Sequence, residues 1–224
     1  MPKTFHRDRL KTAQAKRIYD SYMKQITDLS REHYRIENES GPDVSENHRK
    51  AVLAVWYDHP EVFWFCEVRR TGSPRRCDPE RIALIQWHLE HTLNWLTCGT
   101  EYFPPLDRVK MIYSRIMAMG TYHNGEPEDY EITGPVMFGS GCCSGYAKLF
   151  KLALDKAMVG PSVIVCSATH AWNAVCINGE YRHFDVTFGR SAKDTACRRY
   201  FNLSTEQVRT YIDIETELED VKYA

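Results

Sequence analysis

Gly141-Cys142-Cys143-Ser144-Gly145-Tyr146-Ala147 sets a cysteine at the opening of an apolar helical pattern that continues through Phe150 and Leu154. An isolated cysteine of this kind is usually an inert core residue. Two downstream segments change that reading: Thr169-His170-Ala171-Trp172-Asn173 supplies an imidazole, and Phe184-Asp185-Val186-Thr187 supplies a carboxylate. A thiol followed at a distance by His and an acid is the sequence pattern of a nucleophile with its base and orienting group.

The segment between these two motifs says how they can meet. Asn178-Gly179 lies between alternating runs and predicts a two-residue type I′ turn, because both central positions of that turn need positive φ. Ile177 then pairs with Glu180, Trp172 faces Asp185 and His170 faces Thr187. Period-two alternation puts all four of the latter side chains on one face. His170 and Asp185 become diagonal neighbours, roughly 7–8 Å apart at Cα. A one-residue slip would separate them. The strands are expected over 162–168, 170–177 and 180–188. His183, opposite Ala174, is a rival base on the same face.

The expected chemistry starts from Cys143. A helix N-terminus and a neighbouring imidazolium both favour its thiolate, and Asp185 holds the His170 tautomer. Attack on an amide or ester carbonyl gives a thioester that water or an amine resolves. The backbone N–H of Cys143 is one oxyanion donor, and Tyr122 is the candidate for the second. Trp172 is a candidate wall of the substrate pocket, with core packing as the plainer reading.

Upstream, apolar residues at Ala15, Ile18, Tyr19, Tyr22, Ile26 and Leu29 recur at three- and four-residue steps and predict a long amphipathic helix over 7–34. A second helix carries Ala51, Val52, Val55 and Trp56, with Ser45 as its cap. Val62–Val68 is β-branched and aromatic and predicts a strand. Asp78-Pro79-Glu80 reads as an N-cap with proline at the first helical position, and a further helix runs from Leu106 to about Met119. Between Gly120 and Gly139 there is little periodicity, and Gly125-Glu126-Pro127-Glu128-Asp129 reads as an exposed loop that delivers the chain to the thiol.

Three ordered motifs, Gly141 to Ala147, His170 to Trp172 and Asp185 to Thr187, resemble the core of the transglutaminase-like superfamily. Their spacings of 27 residues (143 to 170) and 15 (170 to 185) suit that family's helix-then-sheet layout. Weaker likeness to bacterial transglutaminase-like proteins reaches back to Asp58–Trp64 and Asp107–Tyr113. The resemblance implies an α+β, papain-like core, a nucleophile helix packed on an antiparallel sheet, with an N-terminal helical extension. The expected division is 1–100 for the extension and 101–215 for the catalytic core. It implies a cysteine protease, amidase, deamidase or crosslinking transferase acting on a protein or peptide, without a cofactor. A catalytically unused fold that binds proteins is the alternative. Tyr122-His123-Asn124 stands where many relatives carry Tyr-Asp, and Cys142 is an unusual neighbour for the nucleophile.

Composition narrows the partners. The 224 residues hold 29 Lys+Arg against 30 Asp+Glu, a formal net charge of -1, without a basic stripe, so nucleic acid is not the expected partner. No apolar run approaches the ~20 residues of a membrane span. The N-terminus lacks the apolar region of a secretory signal, so the expectation is a cytoplasmic protein or one exported by another route. Eight scattered cysteines do not resemble a disulfide framework. They also lack the paired short spacings of structural zinc, and no metal is expected.

Overall fold

The computed structural model describes residues 4–28, 34, 39–65, 78–193 and 199–213. The chain is mixed α+β with a small antiparallel sheet. It divides into two compact units, Pro2–Gln86 and Trp87–Ala224.

The first unit is helical. Thr12 caps α2 (Ala13–Ile26) by accepting the Ala15 N–H, so the expected long helix is instead a short α1 (Phe5–Asp8), a break, and α2. Residues 29–33, where that helix was expected to continue, lie outside the described residues. α3 (Val44–Asp58) begins after Asp43, which places Ser45 inside its first turn rather than at the cap. Ile18, Tyr19, Tyr22 and Ile26 pack on Ala51, Val52 and Val55 to make the core. The expected strand at 62–68 is not found where it can be seen: Phe63–Phe65 forms a 3₁₀ turn, and 66–68 lie outside the described residues. Phe65 drops into the same core against Tyr22 and Tyr34, so the run is aromatic because it fills a core, not because it pairs as a strand.

α4 (Pro79–Thr97) starts as expected, with Asp78 Oδ1 accepting the Glu80 N–H. α5 (Pro105–Ala118) buries Val109, Ile112, Tyr113 and Ile116. The stretch of little periodicity then proves to be built, and the expected loop Gly125–Asp129 runs into a turn. β1 (Thr121–Tyr122) pairs in parallel with β2 (Ser140–Gly141), and a 3₁₀ turn at Pro127–Tyr130 and a π turn at Gly134–Phe138 lie between them. β2 leads directly into α6 (Cys143–Lys156), whose Tyr146, Leu149, Phe150, Ala153 and Leu154 are buried.

α6 packs on the sheet formed by β3 (Ser162–Cys166), β4 (Ala171–Ile177) and β5 (Glu180–Phe184), in the order β3-β4-β5 with antiparallel neighbours. The turn is the expected one, with φ of 53° at Asn178 and 85° at Gly179. The register also holds, from Ile177↔Glu180 to Asn173↔Phe184. It stops there. The expected strand to Phe188 is corrected by α7 (Val186–Ser191), so Trp172 is not paired with Asp185, nor His170 with Thr187. α8 (Thr205–Arg209) follows, capped by Ser204. Among the described residues no helix is long and apolar enough to cross a membrane.

Candidate active site

Cys143 is the first residue of α6, so its N–H falls among those that a helix leaves without an internal partner. Its side chain is partly exposed, whereas Cys142 is 1% exposed. The two thiols are not equivalent. The Cys143 thiol is pulled below the ordinary range, first by the Cys142 thiol that donates to it, against burial, and further by the N–H groups of Ala171 and Ser144. The Cys142 thiol is pushed far up, because it is the donor of that pair and is buried. Of the two thiols, Cys143 is the more exposed and the one whose thiolate is favoured.

The same contact locates the thiol. Ala171 opens β4 and directly follows His170, so the sulfur lies where the chain enters β4, next to the residue that carries the imidazole. His170 Nε2 is 2.7 Å from Asp185 Oδ2. The pair forms as expected, but by a different device from a diagonal strand contact. The chain turns at Asp185 from β5 into α7, and the carboxylate serves both purposes: Oδ1 caps the Phe188 N–H at 2.9 Å while Oδ2 holds the imidazole. The Asp185 backbone is fixed on both sides, with its N–H donating to Tyr200 O and its carbonyl accepting the Tyr113 hydroxyl at 2.9 Å.

Aromatic packing fixes the plane of the His170 ring. Phe188 stacks on it at 4.0 Å and 9°, and Trp172 lies near-parallel at 5.8 Å and 18°. Trp172 is 2% exposed and its indole N–H donates to His183 Nδ1 at 3.0 Å. It backs the imidazole and offers no wall to a substrate, which corrects its place as a candidate pocket residue. His183 is equally enclosed. Because Nδ1 accepts from Trp172, the neutral ring carries its proton on Nε2, facing Thr205 Oγ1 at 3.1 Å. Burial, with Arg182 and Arg209 nearby, pushes this imidazole down to about 4. It is a packed core residue and no rival to His170.

Tyr122, on β1, pairs with Gly141, two residues before the thiol. Burial and then the charge of Cys143 raise its phenol above the usual range, which puts the ring within electrostatic reach of the sulfur. Four further residues hold the nucleophile in place, of which Asn173 and Gly145 lie inside the quoted motifs and Lys148 and Glu131 lay outside the sequence reading. Asn173 Nδ2 donates to Ala147 O at 2.9 Å and ties β4 to α6 inside the core. Lys148 forms a fully buried ion pair with Glu131, which binds the segment before the thiol to the helix after it. Gly145 must be glycine, since a Cβ there would meet Asp129 O at 2.4 Å and Glu131 O at 2.9 Å. Phe188 could have been suspected from Asp185-Val-Thr-Phe only if a helix rather than a strand had been expected there. Buried Lys148 and Glu131 leave no local signature.

The groups thus assembled can form a thiolate, hold a base in a fixed tautomer and offer a backbone N–H to developing negative charge. Among the described residues no group of three or more His, Cys, Asp or Glu is arranged to hold a metal ion. No protein-family model matches the chain, and no curated protein matches it.

Proposed function

We propose that the unit Trp87–Ala224 has a papain-like, transglutaminase-like core and is a thiol acyltransferase or hydrolase acting on an amide of a protein or peptide. The observation that carries this reading is the Cys143 thiol at the start of α6, beside the N–H of Ala171, with His170 held by Asp185 at 2.7 Å.

With Nε2 taken by Asp185, the Nδ1 of His170 is the nitrogen that serves the sulfur. The Cys143 thiolate attacks the amide carbonyl, and the C–S bond forms as charge moves onto oxygen. The Cys143 N–H and the Tyr122 hydroxyl donate to that oxyanion. His170 gives its proton to the leaving amine, the C–N bond breaks, and a thioester remains on Cys143. Water then releases an acid, or an amine takes the acyl group. Asp185 keeps the ring in the orientation that both steps need and stabilises its charged form.

Covalent trapping by a thiol-reactive amide mimic, followed by intact-protein mass spectrometry, tests the assignment. Cys143→Ala is expected to abolish labelling, whereas undiminished labelling overturns the assignment. Incubation of the enzyme with a protein mixture, with and without a primary amine, then separates hydrolysis or deamidation from transfer by the mass change on the substrate.

A further inference from the structure

A second His–Asp pair, apart from His170 and Asp185, lies on the segment whose backbone bonds to Gly141 and Cys142, just ahead of the thiol. His123 Nδ1 lies 2.6 Å from Asp129 Oδ2. The Asp129 side chain is 4% exposed and that of His123 is 54% exposed. The same carboxylate oxygen already accepts the N–H groups of Gly125 at 3.0 Å and Glu126 at 2.8 Å. Burial of the carboxylate is therefore compensated by backbone donors, and an exposed imidazole is not needed for that purpose. The pair works in the opposite direction: the carboxylate demands a proton on Nδ1, so the neutral ring keeps its lone pair on Nε2. Gly125 leaves room for the ring in this position, since a Cβ there would lie 3.1 Å from the His123 Cε1.

This oriented base is fastened to the start of the nucleophile helix. The His123 N–H donates to Gly141 O at 3.1 Å, and Asp129 O accepts the Cys142 N–H at 2.9 Å. Tyr122 is in register with Gly141, so one further step brings His123 level with Cys142, at a strand spacing of about 4.8 Å. His170, by contrast, is enclosed: its side chain is 8% exposed, its Nε2 is taken by Asp185, and Phe188 covers one face. An incoming water or amine has to arrive from solvent, where His123 is exposed and His170 is not.

We propose that His123, oriented by Asp129, is a second base of this site that acts on the acceptor resolving the thioester. This rests on the thioester reading of Cys143. Nε2 takes a proton from water or a neutral primary amine as its oxygen or nitrogen attacks the thioester carbonyl. The C–O or C–N bond forms, the C–S bond breaks, and its electron pair leaves on Cys143 as thiolate. His123 then releases its proton to water, and His170, left neutral after protonating the leaving amine, regains one from water.

The full chain with p-nitrophenyl acetate separates the two half-reactions. The burst of nitrophenolate reads acetylation of Cys143, and the steady rate reads release of acetate. His123→Gln is expected to keep the burst within about twofold and to lower the steady rate by about tenfold or more. Acetyl-enzyme should accumulate by intact mass, and added imidazole should restore the steady rate. A steady rate within about twofold of the parent overturns the inference, and so does a joint loss of burst and steady rate, which marks His123 as a pin for the segment. Failure of the thioester reading looks different: no burst from the parent, or a burst that survives Cys143→Ala, removes both.

Discussion

Asp185 performs two tasks with two oxygens, and a single substitution can divide them. In Asp185→Asn the side-chain oxygen can still cap Phe188, while an amide NH₂ faces His170 and demands a lone pair on Nε2, so the ring proton moves to the nitrogen that should serve the sulfur. The expected result is a fall in turnover of about 10³–10⁴-fold, as wrong-tautomer variants of triads give. Stability should stay within about 1 kcal/mol, because the cap survives. Turnover of an activated ester and a urea unfolding curve on the same preparation check both halves. At this scale the sequence was informative about placement: the structure sets His170 against Asp185 and the Cys143 thiol beside the Ala171 N–H. It was silent on support, because Phe188, Asn173 and the Glu131–Lys148 pair act through contacts between distant segments that no local pattern encodes.

Among the elements, the β4–β5 hairpin contributes a pH response of its own to the fold. His183 on β5 is held neutral between Trp172 and Thr205, with its folded pKa about 4 against an ordinary 6.5. An unfolded chain binds this proton near 6.5 and the folded chain only near 4. Folding is thus fully supported above 6.5 and weakens as pH falls through that window, by on the order of 3 kcal/mol once both limits are passed. Urea midpoints at pH 7 and pH 4.5 should differ less in His183→Gln than in the parent. A difference that is unchanged by the substitution would assign the pH response to other groups. The hairpin was legible because Asn178-Gly179 determines its own backbone, and the register follows from the turn. α7 was not legible, since Val186-Thr187-Phe188 favours a strand by propensity. The Asp185 cap, the Tyr113 and Tyr200 bonds to Asp185 and the reach of Arg190 to Gly120 O prevail over that preference. The pairing of β1 with β2 is two residues long on each side and follows no periodicity that a sequence reading could detect.

For the whole molecule, the division of the chain assigns the proposed chemistry to one unit: Tyr122, His123, Cys143, His170 and Asp185 all lie in Trp87–Ala224. The unit Pro2–Gln86 has its own core and its own buried polar anchor. Asp58 accepts the N–H groups of His6 at 2.9 Å and Arg7 at 3.0 Å and the Tyr19 hydroxyl at 3.1 Å. Asp58→Ala leaves those donors unanswered and should cost about 2–4 kcal/mol. Faster amide exchange over residues 4–28 at pH 7 would report the release of α1, and unchanged exchange there would deny Asp58 this role. The charge of the chain is nearly balanced, 29 bases against 30 acids, so net charge alone gives no strong attraction for a charged partner.

The hairpin also has a practical geometry. His170 and Asp185 lie at one end of β4 and β5, and the Asn178-Gly179 turn lies at the other, with a strand of five to seven residues between them. At about 3.3 Å per residue that is a rigid spacer of roughly 20 Å. Gly179 has open space around it. A side chain at Gly179 itself would be strained at φ 85°, but a fluorophore, affinity handle or surface tether introduced at exposed Glu180 beside it would be held at a fixed distance from the thiol, which suits immobilisation or distance measurement on the protein.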